Sequence, residues 1–228
     1  VFGGTTFGGQ ETIDVDYLEK LIPWVEGDCF RREKLETLTT RLLETGLFSR
    51  ADTTLPESPA EDGSVPITVS LKEREHRTIK VGANYYTDTG AGILFGWEHR
   101  NLFGSAEKLE AELKLNQIEQ NLNFDFIKPY FLRDDQQLNI NASLGLEDTD
   151  AYEATNFETG ASISRDFTDH LSGNTGVAYA LSEIDDGEDT ETYGLFSLPN
   201  GFTYDNRSNP LDPHDGIFLT GSIEPFFD

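Results

Sequence analysis

The chain contains no methionine and only one cysteine among its 228 residues. A single cysteine cannot form an internal disulfide or a cysteine-rich metal site. We expect Cys29 to be buried, because free cysteines are among the most buried residue types. Since methionine is missing even at position 1, we also expect the chain to be a piece excised from a longer protein.

Basic residues and long apolar runs are scarce as well. The 17 Lys and Arg are outnumbered by 42 Asp and Glu, which gives a formal net charge of −25. Such a surface argues against nucleic acid as a partner, because phosphates need cationic contacts. No run of about 18 apolar residues occurs, which excludes a helical membrane protein. The 16 Phe and 8 Tyr argue against the disorder that high charge otherwise indicates.

The sequence changes character near residue 77. Residues 1–77 carry a net charge of −6 and residues 78–228 a net charge of −19. The first part has mixed periodicity, and its leucines at positions 35, 38, 42 and 43 form one helical stripe. Gly46 then suits the left-handed residue that follows a helix. We predict a strand at 1–6, helices capped by Asp14 and Asp28, strands at 48–55 and 66–72, and a hairpin loop at 56–63.

From residue 78 onward the sequence alternates with period two, as half-buried β-strands do. The predicted strands are 78–87, 91–101, 106–117, 119–128, 135–147, 153–165, 170–183, 191–204 and 215–225. All nine are longer than the five or six residues usual in soluble sheets, and about 9–11 tilted residues cross a bilayer. One face is aliphatic and aromatic, whereas the other carries Asn, Ser, Gly, Glu and Lys. This favours a transmembrane barrel, with a soluble β-sandwich as the alternative.

Three segments resemble a known family. Residues 45–49 (Thr-Gly-Leu-Phe-Ser) resemble a polypeptide-transport-associated (POTRA) domain. Residues 97–104 (Trp-Glu-His-Arg-Asn-Leu-Phe-Gly) and 204–216 resemble the TamA branch of the BamA/TamA outer-membrane assembly superfamily. The resemblance implies an α+β POTRA domain (βααββ) at 1–77. It further implies the first nine of sixteen strands of an antiparallel up-and-down barrel at 78–228.

The resemblance also implies a function. The protein would help to insert and fold autotransporters and other β-barrel proteins in a Gram-negative outer membrane, in contact with lipid, client proteins and a periplasm-spanning, TamB-like partner. This chemistry is non-covalent and requires no catalytic residue, metal or cofactor. Two alternatives remain open at this stage. One is a two-partner-type secretion pore or passive channel, and the other is a soluble β-rich binding protein.

The functional residues that we predict fall into three groups. The seam strand, half of a weak junction with the barrel's last strand, comprises Ile79, Lys80, Val81, Gly82, Ala83, Asn84 and Tyr85. The POTRA edge strand comprises Ser49, Arg50, Ala51, Asp52 and Thr53. The periplasmic turn motif comprises Asp205, Arg207, Asn209, Pro210, Leu211, Pro213 and Gly216. The acidic run 183–191 is expected to be a solvated extracellular loop, with loose divalent-cation binding as the alternative.

Overall fold

The computed structural model describes residues 1–87 and 89–228. These residues divide into two compact units. The first unit is Val1–Arg77 together with His99–Glu107, and the second is Thr78–Glu98 together with Lys108–Asp228. No helix in the described ranges has the length and apolar character needed to cross a membrane.

The first unit is a three-stranded sheet with two helices. Its elements are β1 (Phe2–Gly8), α1 (Val15–Lys20), α2 (Arg32–Glu44), β2 (Phe48–Thr54) and β3 (Val65–Glu73). The sheet order is β1–β3–β2, with β1 parallel and β2 antiparallel to the central strand β3.

The leucine stripe of α2 supplies part of the core of this unit. Leu35, Leu38 and Leu42 are buried, as the spacing predicts. Leu43, which we placed in the same stripe, is 40% exposed. The reason is that one residue along a helix turns the side chain by about 100°, away from the sheet. Gly46 has a φ of 72°, which confirms its left-handed conformation after the helix.

Two predictions in the loop before α2 are wrong. Asp28 does not cap the helix, because the helix begins later, with Arg31 at the N-cap position. The Asp28 carboxylate instead accepts hydrogen bonds from the Val25 N–H and the Lys34 ammonium. Cys29 is exposed rather than buried, since it lies in this loop and not in an element that packs on the sheet.

The second unit is one large sheet. Its elements are β4 (Arg77–Tyr86), β5 (Gly90–His99), β6 (Lys108–Leu115), β7 (Glu119–Lys128), β8 (Gln136–Asp148), β9 (Glu153–Thr168), β10 (Leu171–Asp185), β11 (Thr190–Ser197), β12 (Asn200–Asp205), β13 (Phe218–Ile223) and β14 (Phe226–Phe227). Strands neighbour one another in chain order from β4 to β10, followed by β12 and β13. Strand β11 lies beside the other half of β10 and also pairs with β14.

Two predicted strands differ from the observed ones near prolines. The predicted strand 191–204 is divided into β11 and β12 around Pro199, and the predicted strand 215–225 is shortened to Phe218–Ile223, which ends two residues before Pro225. Proline has no N–H to donate to a ladder. The Pro199 carbonyl still accepts a hydrogen bond from the Gly176 N–H at 2.9 Å, so β10 stays paired across the break.

The two faces of the second sheet differ in polarity, as the alternation predicts. Cross-strand neighbours on one face form an apolar row of Leu113, Leu122, Leu144, Phe157 and Leu181. The corresponding row on the other face is Glu110, Asp125, Asn141, Gly160 and Ala178. The apolar face is not covered by protein, since Leu144 and Phe157 are 40% and 39% exposed. An exposed apolar row that crosses five adjacent strands is typical of contact with lipid.

We therefore expect the two faces to differ in their tolerance of a charge. Leu144→Arg should destabilise the protein in a bilayer by roughly 2–4 kcal/mol, because it places a guanidinium in hydrocarbon. Asn141→Arg, on the opposite face of the same strand, should cost less than about 1 kcal/mol. Denaturant unfolding of the full-length protein in lipid vesicles measures both costs. Equal losses for the two variants would contradict the assignment of the faces.

Candidate functional site

Strand β4 forms one end of the large sheet and has β5 as its neighbour. All seven predicted seam residues lie in it. Ile79, Val81 and Tyr85 project from one face with 66%, 78% and 74% of their surfaces exposed. An edge strand presents backbone N–H and C=O groups that a further strand can pair with. Strand β4 is therefore an edge strand with an exposed apolar face.

Strand β2 forms an end of the smaller sheet, because β3 lies between it and β1. The five predicted POTRA edge residues all lie in β2. Ala51 faces the core, whereas Arg50 and Asp52 form an ion pair on the exposed side. The Ser49 hydroxyl donates to the Lys72 carbonyl at 3.1 Å, which joins β2 to β3.

A shallow groove of about 290 Å³ lies between α2 and the β2 edge. Its walls combine aliphatic, hydroxyl and charged side chains: Arg32, Leu35, Glu36, Thr39, Thr40, Thr53 and Leu55. A strand added beside β2 would direct alternate side chains to opposite faces of the sheet. One set of those side chains could therefore enter this groove.

The predicted turn motif connects β12 to β13 and is closed by hydrogen bonds. The Arg207 guanidinium binds the Asp205 carboxylate through two bonds of 2.8 and 2.9 Å, and it also lies 4.6 Å from the centre of the Phe218 ring. Gly216 has a φ of 107°, and a Cβ there would lie 2.5 Å from the Asn206 carbonyl oxygen. Only glycine fits that position without moving the backbone.

The tip of the same turn is exposed. Asn209 accepts a hydrogen bond from the Leu211 N–H at 3.0 Å, which forms an Asx-type turn across Pro210, two residues before Pro213. Leu211 itself is 96% exposed. The seven motif residues thus form a rigid base and an exposed tip.

The structure also reveals an arrangement that the sequence pattern does not predict. The segment His99–Glu107 belongs to the first unit, although it joins β5 to β6. Its Asn101 amide donates to the Thr12 carbonyl at 3.0 Å, and the Gly104 carbonyl accepts from the Asp14 N–H at 2.9 Å. The Glu107 carboxylate is buried and accepts the N–H groups of two residues of its own loop. In the sequence, this segment is recognisable only as a polar, glycine-containing loop that includes Asn101 and Glu107.

Glu73 is the centre of a hydrogen-bond cluster in the first unit. Burial raises the pKa of its carboxyl group, but this is outweighed by hydrogen bonds from the N–H groups of Thr12 and Glu11, the Thr12 hydroxyl and His76. The net effect lowers the pKa of Glu73 to about 2. The ionised carboxylate therefore ties the loop before α1 to the end of β3.

The folding stability of the first unit should depend on pH through Glu73. A carboxyl group with a lowered pKa in the folded state contributes stability above its unfolded pKa of about 4.3, and this contribution is lost as the pH falls through about 2. Wild type should lose about 2 kcal/mol more than Glu73→Gln between pH 5 and pH 2. Residues 1–77 contain the unit's buried hydrophobic side chains, so urea unfolding of this fragment, followed by Trp24 fluorescence, measures the loss.

The matched control for this experiment is Glu75→Gln. Glu75 is an exposed carboxylate two residues away, and its replacement should leave the wild-type pH dependence in place. A pH dependence that persists unchanged in Glu73→Gln would contradict the role of Glu73.

The acidic run forms the hairpin between β10 and β11. Asp186 accepts hydrogen bonds from the backbone N–H groups of Asp189 and Glu188, which lower the pKa of its carboxyl group. Within residues 1–87 and 89–228, no group of three or more His, Cys, Asp or Glu side chains is arranged to hold a metal ion. The hydrogen bonds of Asp186 help to close the turn of this hairpin.

Two family models match the chain. The model of the Omp85 superfamily domain matches residues 101–227, and the model of the POTRA domain (surface antigen variable number repeat) matches residues 1–74. One match ends before residue 77 and the other begins after it, where the periodicity of the sequence changes.

Curated relatives include outer membrane protein assembly factor BamA from Buchnera aphidicola subsp. Acyrthosiphon pisum (strain APS), which is 28% identical over 134 residues, 58% of this chain and 22% of the relative. The same factor from Neorickettsia risticii (strain Illinois) is 26% identical over 101 residues, 44% of this chain and 13% of the relative. The aligned parts are thus less than a quarter of each relative's length.

Solved structures with the same fold cover 99% of this chain. BamA from Haemophilus ducreyi lacking POTRA domains 1–3 superimposes with a TM-score of 0.81 at 19% identity. CdiB from Acinetobacter baumannii and CdiB from Escherichia coli give TM-scores of 0.63 and 0.65 at 14% and 12% identity. The chain spans 48%, 45% and 44% of these three structures. At these identities the similarity establishes the fold alone.

Proposed function

We propose, from the premise that the chain belongs to the Omp85 superfamily, that the protein assembles other β-barrel proteins in the outer membrane and that β4 is the strand that receives them. The observation that carries this proposal is the position of β4 at the end of the large sheet. With its POTRA match, the chain is part of a Gram-negative outer-membrane protein whose POTRA domain is in the periplasm.

The mechanism is non-covalent strand addition. On the side away from β5, β4 offers N–H and C=O groups that no strand of residues 1–87 and 89–228 pairs with, and a client strand would pair with them before the client barrel closes. Gly82, near the middle of β4, weakens the strand's own pairing because glycine has no side chain to pack. No covalent bond is formed or broken, so the protein is not an enzyme in this proposal.

The β2 edge is the second docking surface of the proposal. Ser49 to Thr53 would add an extended segment of a client or partner in the periplasm, and the groove beside α2 would take its side chains. The turn motif 205–216 would provide a rigid periplasmic end for β12 and β13.

The resemblance to the TamA branch makes the proposal more specific. It rests on residues 97–104 and 204–216, and it extends the function to autotransporter clients and a periplasm-spanning, TamB-like partner. Co-purification of such a partner with the tagged full-length protein tests this extension, and its absence would leave the broader assembly role in place.

A cysteine crosslink tests the seam. Ala83→Cys in β4 of the full-length protein, with the exposed Cys29 replaced by Ser, should form a disulfide with a cysteine in the terminal strand of an autotransporter client. The reason is that Ala83 lies on a strand with a free edge. We expect at least a tenfold higher yield than from Ala142→Cys, measured by non-reducing gel electrophoresis.

Ala142 is the matched control because it lies on the apolar face of β8 and is paired on both sides, with Phe124 and Thr159. Equal yields at positions 83 and 142 would contradict the seam. The alternative of a secretion pore predicts another result, in which a passing polypeptide crosslinks to Asn141→Cys on the polar face and not to position 83.

A photocrosslink tests the β2 edge. A photoreactive amino acid at Asp52, whose side chain is on the exposed side of β2, should capture client or partner segments in the periplasm at least fivefold more often than one at Glu61. Glu61 is also exposed but lies in the loop between β2 and β3, where no strand can be added. Capture at similar frequency from both positions would contradict a docking role for β2.

A further inference from the structure

Four charged side chains form a closed set on the polar face of the large sheet, which we name the charge ring: Lys80, Glu98, Lys108 and Glu110. The Lys80 ammonium lies 3.6 Å from a Glu98 oxygen and 3.4 Å from a Glu110 oxygen. The Lys108 ammonium lies 3.8 and 3.1 Å from the same two carboxylates. Each lysine therefore contacts both glutamates, and the four formal charges cancel.

The charge ring connects three adjacent strands. Lys80 belongs to β4, Glu98 to β5, and Lys108 and Glu110 to β6. Backbone pairing links β4 to β5, but the Lys80 side chain reaches one strand further, to Glu110. The ring thus attaches the edge strand to two strands at once.

Glycine on the neighbouring strand makes this reach possible. A Cβ at Gly96 would lie 3.2 Å from the Lys80 Cβ, so the Lys80 side chain lies across Gly96 on β5. A larger residue at position 96 would push the lysine away from Glu98 and Glu110. The position of Lys80 is therefore fixed by packing as well as by charge.

Glu98 makes the ring costly to break. Its side chain is only 8% exposed, whereas that of Lys80 is 52% exposed. Removing one partner of a buried carboxylate leaves charge that water cannot fully solvate. A slip of β4 by two residues would move Lys80 by about 7 Å along the strand, which would break both of its contacts.

We infer that the charge ring is the positioning device of the edge strand: it fixes the register of β4 on β5 and β6 while residues 81–86 of the strand remain able to pair with a client. Lys80, close to the start of β4, is its decisive residue. This inference rests on the proposed role of β4 as the seam strand. Its structural part, that the ring holds β4 in register, is measured without any client.

The test is hydrogen exchange of the peptide covering residues 78–86 in the full-length protein in lipid nanodiscs. Lys80→Gln should exchange at least tenfold faster than wild type, whereas Lys80→Arg, which retains the charge, should remain within twofold. The matched control is Lys114→Gln, because Lys114 lies on β6 and pairs at 2.7 Å with Glu112 on its own strand. That variant should also remain within twofold.

The second readout is the register of the client. A client cysteine should crosslink with one dominant partner among Ile79→Cys, Val81→Cys and Ala83→Cys in wild type. In the Lys80→Gln background the same client should spread over at least two of these positions. A lysine that merely added stability would change the total yield without changing this distribution.

The outcomes separate the two proposals. Exchange of 78–86 that is unchanged in Lys80→Gln overturns the charge ring, even if the client still crosslinks to β4. Faster exchange together with no client crosslink in wild type supports the ring and overturns the seam. If Lys80→Gln does not assemble, Glu110→Gln removes the ion pair between Lys80 and β6 and is measured against the same limits.

Discussion

The need to pair every backbone N–H and C=O group governs the second unit, because a bilayer offers no water as an alternative partner. Strands β5 to β10 each have neighbours on both sides, whereas β4 has β5 on one side at the end of the sheet. The sheet still demands a partner at its two ends, β4 and β13, and β4 is the end to which we assign the client. Its apolar outer face, the polar contacts that anchor it and its proposed work on clients all follow from that demand.

The polar face of the sheet shows how long strands accommodate side chains between closely spaced neighbours. Asn121 lies opposite Gly145, Asn141 opposite Gly160 and Asn174 opposite Gly201. In each pair the asparagine oxygen is 2.9 Å or less from the position that a Cβ on the glycine would occupy. Glycine weakens an isolated strand, but here it provides the space in which a neighbouring amide lies flat on the sheet. The high Asn and Gly content that distinguishes this face from a soluble sandwich therefore has a steric cause.

The sequence predicts what depends on local periodicity and fails where long-range contacts decide. The leucine stripe of α2 and the two faces of the large sheet are confirmed, since both arise from side-chain direction along one element. The exposure of Cys29 is missed because this residue lies in a loop and not in a packed element. The true start of α2 is missed because the Asp28 carboxylate binds Lys34 and does not cap the helix. The charge ring could not be predicted either, since it requires the relative register of three strands, and a shift of one residue reverses the faces.

The two strand edges that we propose as docking surfaces, β2 and β4, solve the same problem in different ways. In water an open edge risks non-specific pairing, and β2 carries the Arg50–Asp52 ion pair on its exposed side, so a segment added there must accommodate both charges. In lipid a charge on the outer face would be costly, so β4 presents Ile79 and Val81 outward and keeps Lys80 on the polar face. On β4, selection of the partner by charge is then replaced by restraint from within the sheet. An edge that must accept a partner can thus remain open, provided that its register is fixed on the side that the partner does not touch.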